Sequence, residues 1–205
     1  MGLEEQQAAL AKIYTSNSLR KLLENSGLNK DCSLSLSQSE QKKLCSMANN
    51  KDVRMFALAL LSKRLRQIKK ILPATCTLLA GNLSNLFQAF ADDRPTIGVK
   101  RHLIDASNFA NYLIQNKSVK IFELDEYKAV LEYEKTWVDS ELSPLVLKLK
   151  CFKHDISNYI IQLKNQEKDQ SYLGKPRVCI WFRLSSNYRL LYWELFPRFW
   201  PKYYI

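Results

Sequence analysis

The sequence predicts an α+β protein: an all-helical bundle over 1–140, then a small three-stranded antiparallel sheet within 141–205 that carries an aromatic, basic tail. Three observations predict it. Up to residue 140, apolar side chains recur every three to four positions, the period of a helix packed on one side. After Pro144 the period changes to two, with Leu145, Leu147, Leu149 and Cys151 alternating with Val146, Lys148 and Lys150. Ser185-Ser186-Asn187 then separates two further apolar runs, as a turn between strands does.

Taken in order, a first helix is expected over 3–14, with Ala8, Leu10, Ala11 and Tyr14 available for packing. Thr15-Ser16-Asn17-Ser18 breaks it with residues that cap helices. A second, short helix over 19–26 stops at Gly27. A loop with Cys32 follows. Ser37 has Glu40 three residues on, the capping-box spacing, and opens a third helix over 37–47. Asn49-Asn50 leads into the longest helix, which begins at Lys51 and is interrupted by Pro73, a residue with no N–H to give. A short helix from Pro73 to near Gly81, another over 83–91, and a turn at Asp92-Asp93-Arg94-Pro95 complete this stretch.

Placing the long helix at 100° per residue puts Val53, Ala57, Leu60, Leu61, Ile68 and Ile71 on one side. Arg64 falls inside that stripe, while Lys63, Arg66 and Lys70 point elsewhere. The helix expected over 100–115 has Leu103, Ala106, Ala110, Leu113 and Ile114 on one side, with His102 at its edge. The next, over 125–138, has an apolar face of Tyr127, Val130, Leu131, Trp137 and Val138 with Glu134 inside it. A guanidinium or a carboxylate on an apolar face needs a partner or a route to water. The economical expectation is a buried ion pair of Arg64 with Glu134, direct or through a shared polar cluster; the alternative places either head group at a helix end in solvent. Strands are expected at 145–152, 177–184 and 188–196, with 155–163 either a short helix or extended.

The net charge is +11 and it is clustered, with seven basic and one acidic residue over 51–70 and six basic and one acidic over 171–205. Clustered positive charge suits an anionic partner: nucleic acid, an acidic peptide or an acidic protein face. The plain alternative is a solvated helix face and a basic tail. Five cysteines, Cys32, Cys45, Cys76, Cys151 and Cys179, stand far apart with no CxxC pair, which argues against a disulfide framework and a structural zinc site. His102 and His154 build no ligand set, so no metal and no cofactor is expected. The five glycines form no phosphate-binding loop, and no nucleophile signature marks a catalytic residue. The acidic start lacks the apolar region of a secretory signal and no run of about 18 apolar residues exists, so the expectation is a cytoplasmic protein with no membrane partner.

Binding has more support than catalysis. Between Trp181 and Tyr204 stand ten aromatic residues, interleaved with Arg183, Arg189, Arg198 and Lys202. Such a mixture can stack nucleobases or anchor a peptide, and a strand edge can take up an extended peptide. Cys179, Trp181, Arg183, Arg189 and Trp193 are the expected peptide- or partner-binding residues. The opposing possibility is a sheet whose aromatics cover a helical core.

The runs LAKIYTSNSLRKLLENS at 10–26, FALALLSKRLRQIKKILPATCTLLAGNLSNLFQAFA at 56–91 and KRHLIDASNFANYL at 100–113, with the closing VCIWFRL…YRLLYWELFPR, resemble the helical partner proteins of multinuclear non-haem iron enzymes. Those are second subunits of systems that modify cysteine-containing precursor peptides, as in methanobactin biosynthesis; the same superfamily has also carried a DNA-binding label. The resemblance implies a helical bundle with a C-terminal antiparallel sheet. It also implies a non-catalytic subunit that holds a precursor peptide against the strands at 176–184 and 188–196 while an iron-dependent enzyme does the chemistry. The alternative expectation is a nucleic-acid-binding regulator that uses the basic long helix and the basic aromatic tail.

Overall fold

The computed structural model describes residues 3–25, 42, 46–47, 49–92, 94–96, 98–116, 124–166 and 172–196. Most of the helix expected over 37–47, and the closing stretch Trp200–Ile205, lie outside the described residues. The fold is α+β, with seven helices ahead of a three-stranded antiparallel sheet among the described residues. The helices are α1 (Leu3–Thr15), α2 (Asn17–Asn25), α3 (Lys51–Ile71), α4 (Pro73–Leu79), α5 (Leu83–Ala91), α6 (Arg101–Gln115) and α7 (Asp125–Leu142). After them come β1 (Val146–Phe152), α8 (Ile156–Asn165), β2 (Arg177–Arg183) and β3 (Leu191–Leu195). The stretch at 155–163, open between helix and strand in the sequence, is helical because Asp155 accepts a 3.1 Å hydrogen bond from the Asn158 N–H and caps α8.

The chain forms two compact units that do not divide at residue 140. One comprises 1–66 with 84–97; the other comprises 67–83 with 98–205, so the sheet shares its unit with α4, α6, α7 and α8. In the first unit, Ile13, Ala57, Phe87, Phe90 and Ala91 are buried. Ser16 Oγ accepts from the Leu19 N–H at 3.0 Å, so the capping residue foreseen at the break after α1 starts α2. Asp92 assists: its Oδ1 accepts from the Asn17 N–H at 2.7 Å, and its Oδ2 from the Ser18 hydroxyl. Burial pushes the Asp92 carboxyl up, but those donors and nearby Arg20 win and hold it below the ordinary carboxylate value. Arg64 stands with its guanidinium 5.7 Å from the centre of the Phe87 ring, a cation–π contact.

In the second unit, α6 packs on α7, and α7 in turn packs on α4, α8 and β1. Glu134 is buried as its place on the α7 stripe requires, at 7% exposure. Its partner is a helix end: Oε1 accepts from the Ala74 N–H and Oε2 from the Thr75 N–H, both at 2.9 Å. These amides open α4 behind Pro73 and have no carbonyl a turn earlier to bond. Glu134 therefore sits at the positive end of a short helix, 60 residues away in sequence. Burial nevertheless dominates and raises its pKa above the ordinary 4.5. The partners found for the Glu134 carboxylate are thus two backbone amides. On α6, Ala106, Ala110 and Leu113 are buried as expected together with Phe109, whereas Ile114 is exposed.

Candidate protein-docking surface

The three strands run in the order β1-β2-β3, each antiparallel to the next. Leu147 pairs with Phe182, Leu149 with Ile180 and Cys151 with Val178; across the other seam, Phe182 pairs with Leu191, Ile180 with Trp193 and Val178 with Leu195. Directly paired residues point to the same side. These nine side chains therefore form a grid of three rows on one face, and every one is apolar or a thiol.

The opposite face carries Val146, Lys148, Lys150 and Phe152 from β1, Arg177, Cys179, Trp181 and Arg183 from β2, and Tyr192 and Glu194 from β3. This charged face is the one covered by helices. Trp181 and Cys179 are fully buried in a cluster with Val130, Val146, Phe152, Ile156 and Tyr159. Tyr133 and Trp137 of α7 meet Trp181 edge-on, with ring centres 5.7 and 6.0 Å apart, and both also meet Tyr192.

The two arginines of β2 fix its ends to helix ends. Arg177 pairs with Asp155, the residue that caps α8, and its Nε lies 2.8 Å from Glu194 Oε1. The remaining Glu194 oxygen accepts from the Ser157 hydroxyl at 2.7 Å, and the Tyr192 hydroxyl stands 3.2 Å from it. At the other end, Arg183 donates to the carbonyls of Ser140 and Ser143, where α7 terminates and its dipole is negative. Lys150 reaches Glu132 at 3.3 Å, so the β1 lysines also turn toward α7. Burial pushes the Cys179 thiol up to about 11 against the hydrogen bond from Tyr192, as expected of a thiol packed in a core.

Among the described residues no helix covers the outward grid in this way. Leu147 is 77% exposed, Leu149 61%, Leu195 51%, Trp193 48% and Leu191 46%. Leu145 and Leu184 extend the patch at one end, both more than half exposed. Single exposed leucines need no explanation, but a contiguous apolar platform on a charged protein marks an interaction surface. Apart from the Cys151 thiol the grid holds no titratable side chain, so what it offers is shape and apolar area.

Of the residues expected to meet a partner, Cys179, Trp181 and Arg183 therefore face inward and serve the core. Trp193 lies in the middle row of the outward grid, and Arg189 is exposed two residues before β3. The expectation that β2 offers a peptide edge is corrected: β2 is the central strand, paired on both sides. Among the described residues β3 pairs with β2 alone. The sequence held a signal for the outer face. Val178-Cys179-Ile180-Trp181-Phe182 is apolar at both parities, the pattern of a strand covered on both sides, whereas an antiparallel strand with one wet face alternates.

No group of three or more His, Cys, Asp and Glu side chains that could hold a metal occurs among the described residues. None of their helices is long and apolar enough to cross a membrane. Residues 49–115 match the family described as SCO6045-like, C-terminal domain. That match runs from α3 through α6 and stops short of the sheet. No curated protein matches this chain.

Proposed function

We propose that the chain is a non-catalytic protein-binding subunit whose outer sheet face docks a partner, and that the partner is a separate metalloenzyme or the precursor peptide it modifies. The observation that carries this is the grid itself: nine outward residues in register, in a strand triplet whose charged residues are all turned inward or lie at the rim. A central strand apolar at both parities supports a second covering layer. The likeness to helical partner proteins of multinuclear non-haem iron enzymes supports the class of partner.

Co-expression with a multinuclear non-haem iron enzyme of that kind tests it. The wild-type chain should co-elute with the enzyme in size-exclusion chromatography, and Leu149→Glu with Trp193→Glu should abolish co-elution while leaving the far-UV circular dichroism of the chain unchanged. Co-elution that ignores both substitutions would remove the outer face from the proposal. Turnover of a precursor peptide by the chain alone, loaded with iron, would overturn the non-catalytic role.

A second reading, nucleic-acid binding, is favoured by the exposure of Lys63, Arg66, Lys69 and Lys70 along α3. It requires affinity for duplex DNA that falls about tenfold or more between roughly 50 and 200 mM salt, the release of several counterions. A flat salt response in a gel-shift titration would dismiss it.

A further inference from the structure

We infer that the occupant of the outer face is an amphipathic helix of the partner, with an apolar stripe flanked by acidic residues. This rests on the reading of that face as a docking surface and adds what docks there. The dimensions favour a helix. Three strands about 4.8 Å apart, with rows of side chains from Leu147–Phe182–Leu191 to Cys151–Val178–Leu195, make a platform on the order of 14 Å on each side. A helix is about 10 Å across with its side chains, and three turns of it span about 16 Å. The face of the platform offers side chains, because the N–H and C=O groups of β2 are committed to β1 and β3 and unpaired main chain lies only along the outer edges of those two strands. With α7 and α8 on the inner face, a helix on the outer face would complete a three-layer packing.

Charge selects the flanks. Over the described residues 172–196 the single acidic residue, Glu194, is turned inward to Arg177, and the exposed charges are those of Lys175 and Arg189. Lys175 and Arg189 are exposed at opposite ends of β2, one before its first residue and one beyond its last, and neither joins an ion pair among the described residues. Lys153, also exposed, follows β1 and meets Asp125 at 2.7 Å. A second copy of the chain would set +11 against +11 and bring the same cations together. Acidic flanks on the partner helix meet them with the opposite sign.

The test uses the full chain and three synthetic peptides of about 18 residues. One is a helical peptide with a leucine stripe and glutamate flanks, one has the same stripe with lysine flanks, and one has the first peptide's composition rearranged in strict alternation. Binding is read by fluorescence anisotropy at roughly 50 and 300 mM salt. The glutamate-flanked helix should bind about tenfold tighter than the lysine-flanked one at low salt, and Lys175→Glu with Arg189→Glu should erase that ratio. Leu149→Glu should remove binding of both helices, with circular dichroism showing the variant folded. Equal affinity for the two helices overturns the acidic partner, and tighter binding of the alternating peptide overturns the helix; either leaves the docking surface standing. A dimer in sedimentation that Leu149→Glu dissociates replaces the partner helix with a second copy. Absence of peptide binding, a monomer at every concentration and enzyme co-elution indifferent to Leu149→Glu would together overturn both the inference and the surface it rests on.

Discussion

The two faces of one sheet are built on opposite rules. The inner face holds Lys148, Lys150, Arg177, Arg183 and Glu194 yet is covered by helices; the outer face holds leucine, isoleucine, valine, phenylalanine and tryptophan yet lies open. A protein folding only to bury oil would do the reverse. The inner charges are tolerable because each buried arginine ends on a carboxylate or on the carbonyls of a helix end, which offsets the loss of water. The outer apolar residues are the ones that the proposed partner would cover. The difference teaches that charge and exposure do not go together here: the side that carries the charges is packed, and the side that carries the apolar residues is exposed.

The comparison breaks first on the inner side. Arg177→Met should leave Asp155 and Glu194 buried without their cation and destabilise the fold by about 3–5 kcal/mol, read as a drop in the urea midpoint. Trp181→Ala, at a fully buried centre of the cluster, should lower stability by about the same amount, 3–5 kcal/mol.

Glu134→Gln should cost about 1–3 kcal/mol near neutral pH, because an NH2 group now faces one of two amides that need an acceptor. The pH dependence sharpens this. The folded pKa of Glu134 lies above its unfolded value, so the folded state holds the proton more tightly. The stability from this site is fully present below 4.5 and is lost as pH rises through the raised value. Urea denaturation across that window should show a falling contribution in the wild type that Glu134→Gln lacks.

On the outer side, Leu147→Glu or Leu149→Glu should change the urea midpoint by no more than about 0.5 kcal/mol in stability, while raising solubility. The smallest effect on stability is none at all: a thiol reagent should label exposed Cys151 at once in the native protein and reach Cys76 and Cys179 only on unfolding, as mass spectrometry of a time course would show. Fast native labelling of Cys179 would mean that the inner face opens, and the contrast between the faces would weaken.

Much of this fold was written plainly in the sequence. Pro73 divides α3 from α4, the change of period after Pro144 marks β1, and Ser185-Ser186-Asn187 lies between β2 and β3. Glu134 is buried where the α7 stripe places it. What stayed illegible has physical causes. A period of two sorts residues by parity but does not say which parity faces the core, and the lysines of β1 argue for the wrong side until Glu132 and the end of α7 are in place. The partner of Glu134 is two main-chain amides, and main chain has no letter in a sequence. The roles of Arg177 and Arg183 depend on Asp155, Ser140 and Ser143, which only the folded chain brings to the ends of β2.

Those two arginines have a mechanical consequence. With one end of β2 tied to the start of α8 and the other to the last carbonyls of α7, the ribbon has little freedom to flex independently of the helices beneath it. A load applied to the exposed side would be carried into the terminal turn of α7, so a partner docked there as proposed would also hold the handle of a lever.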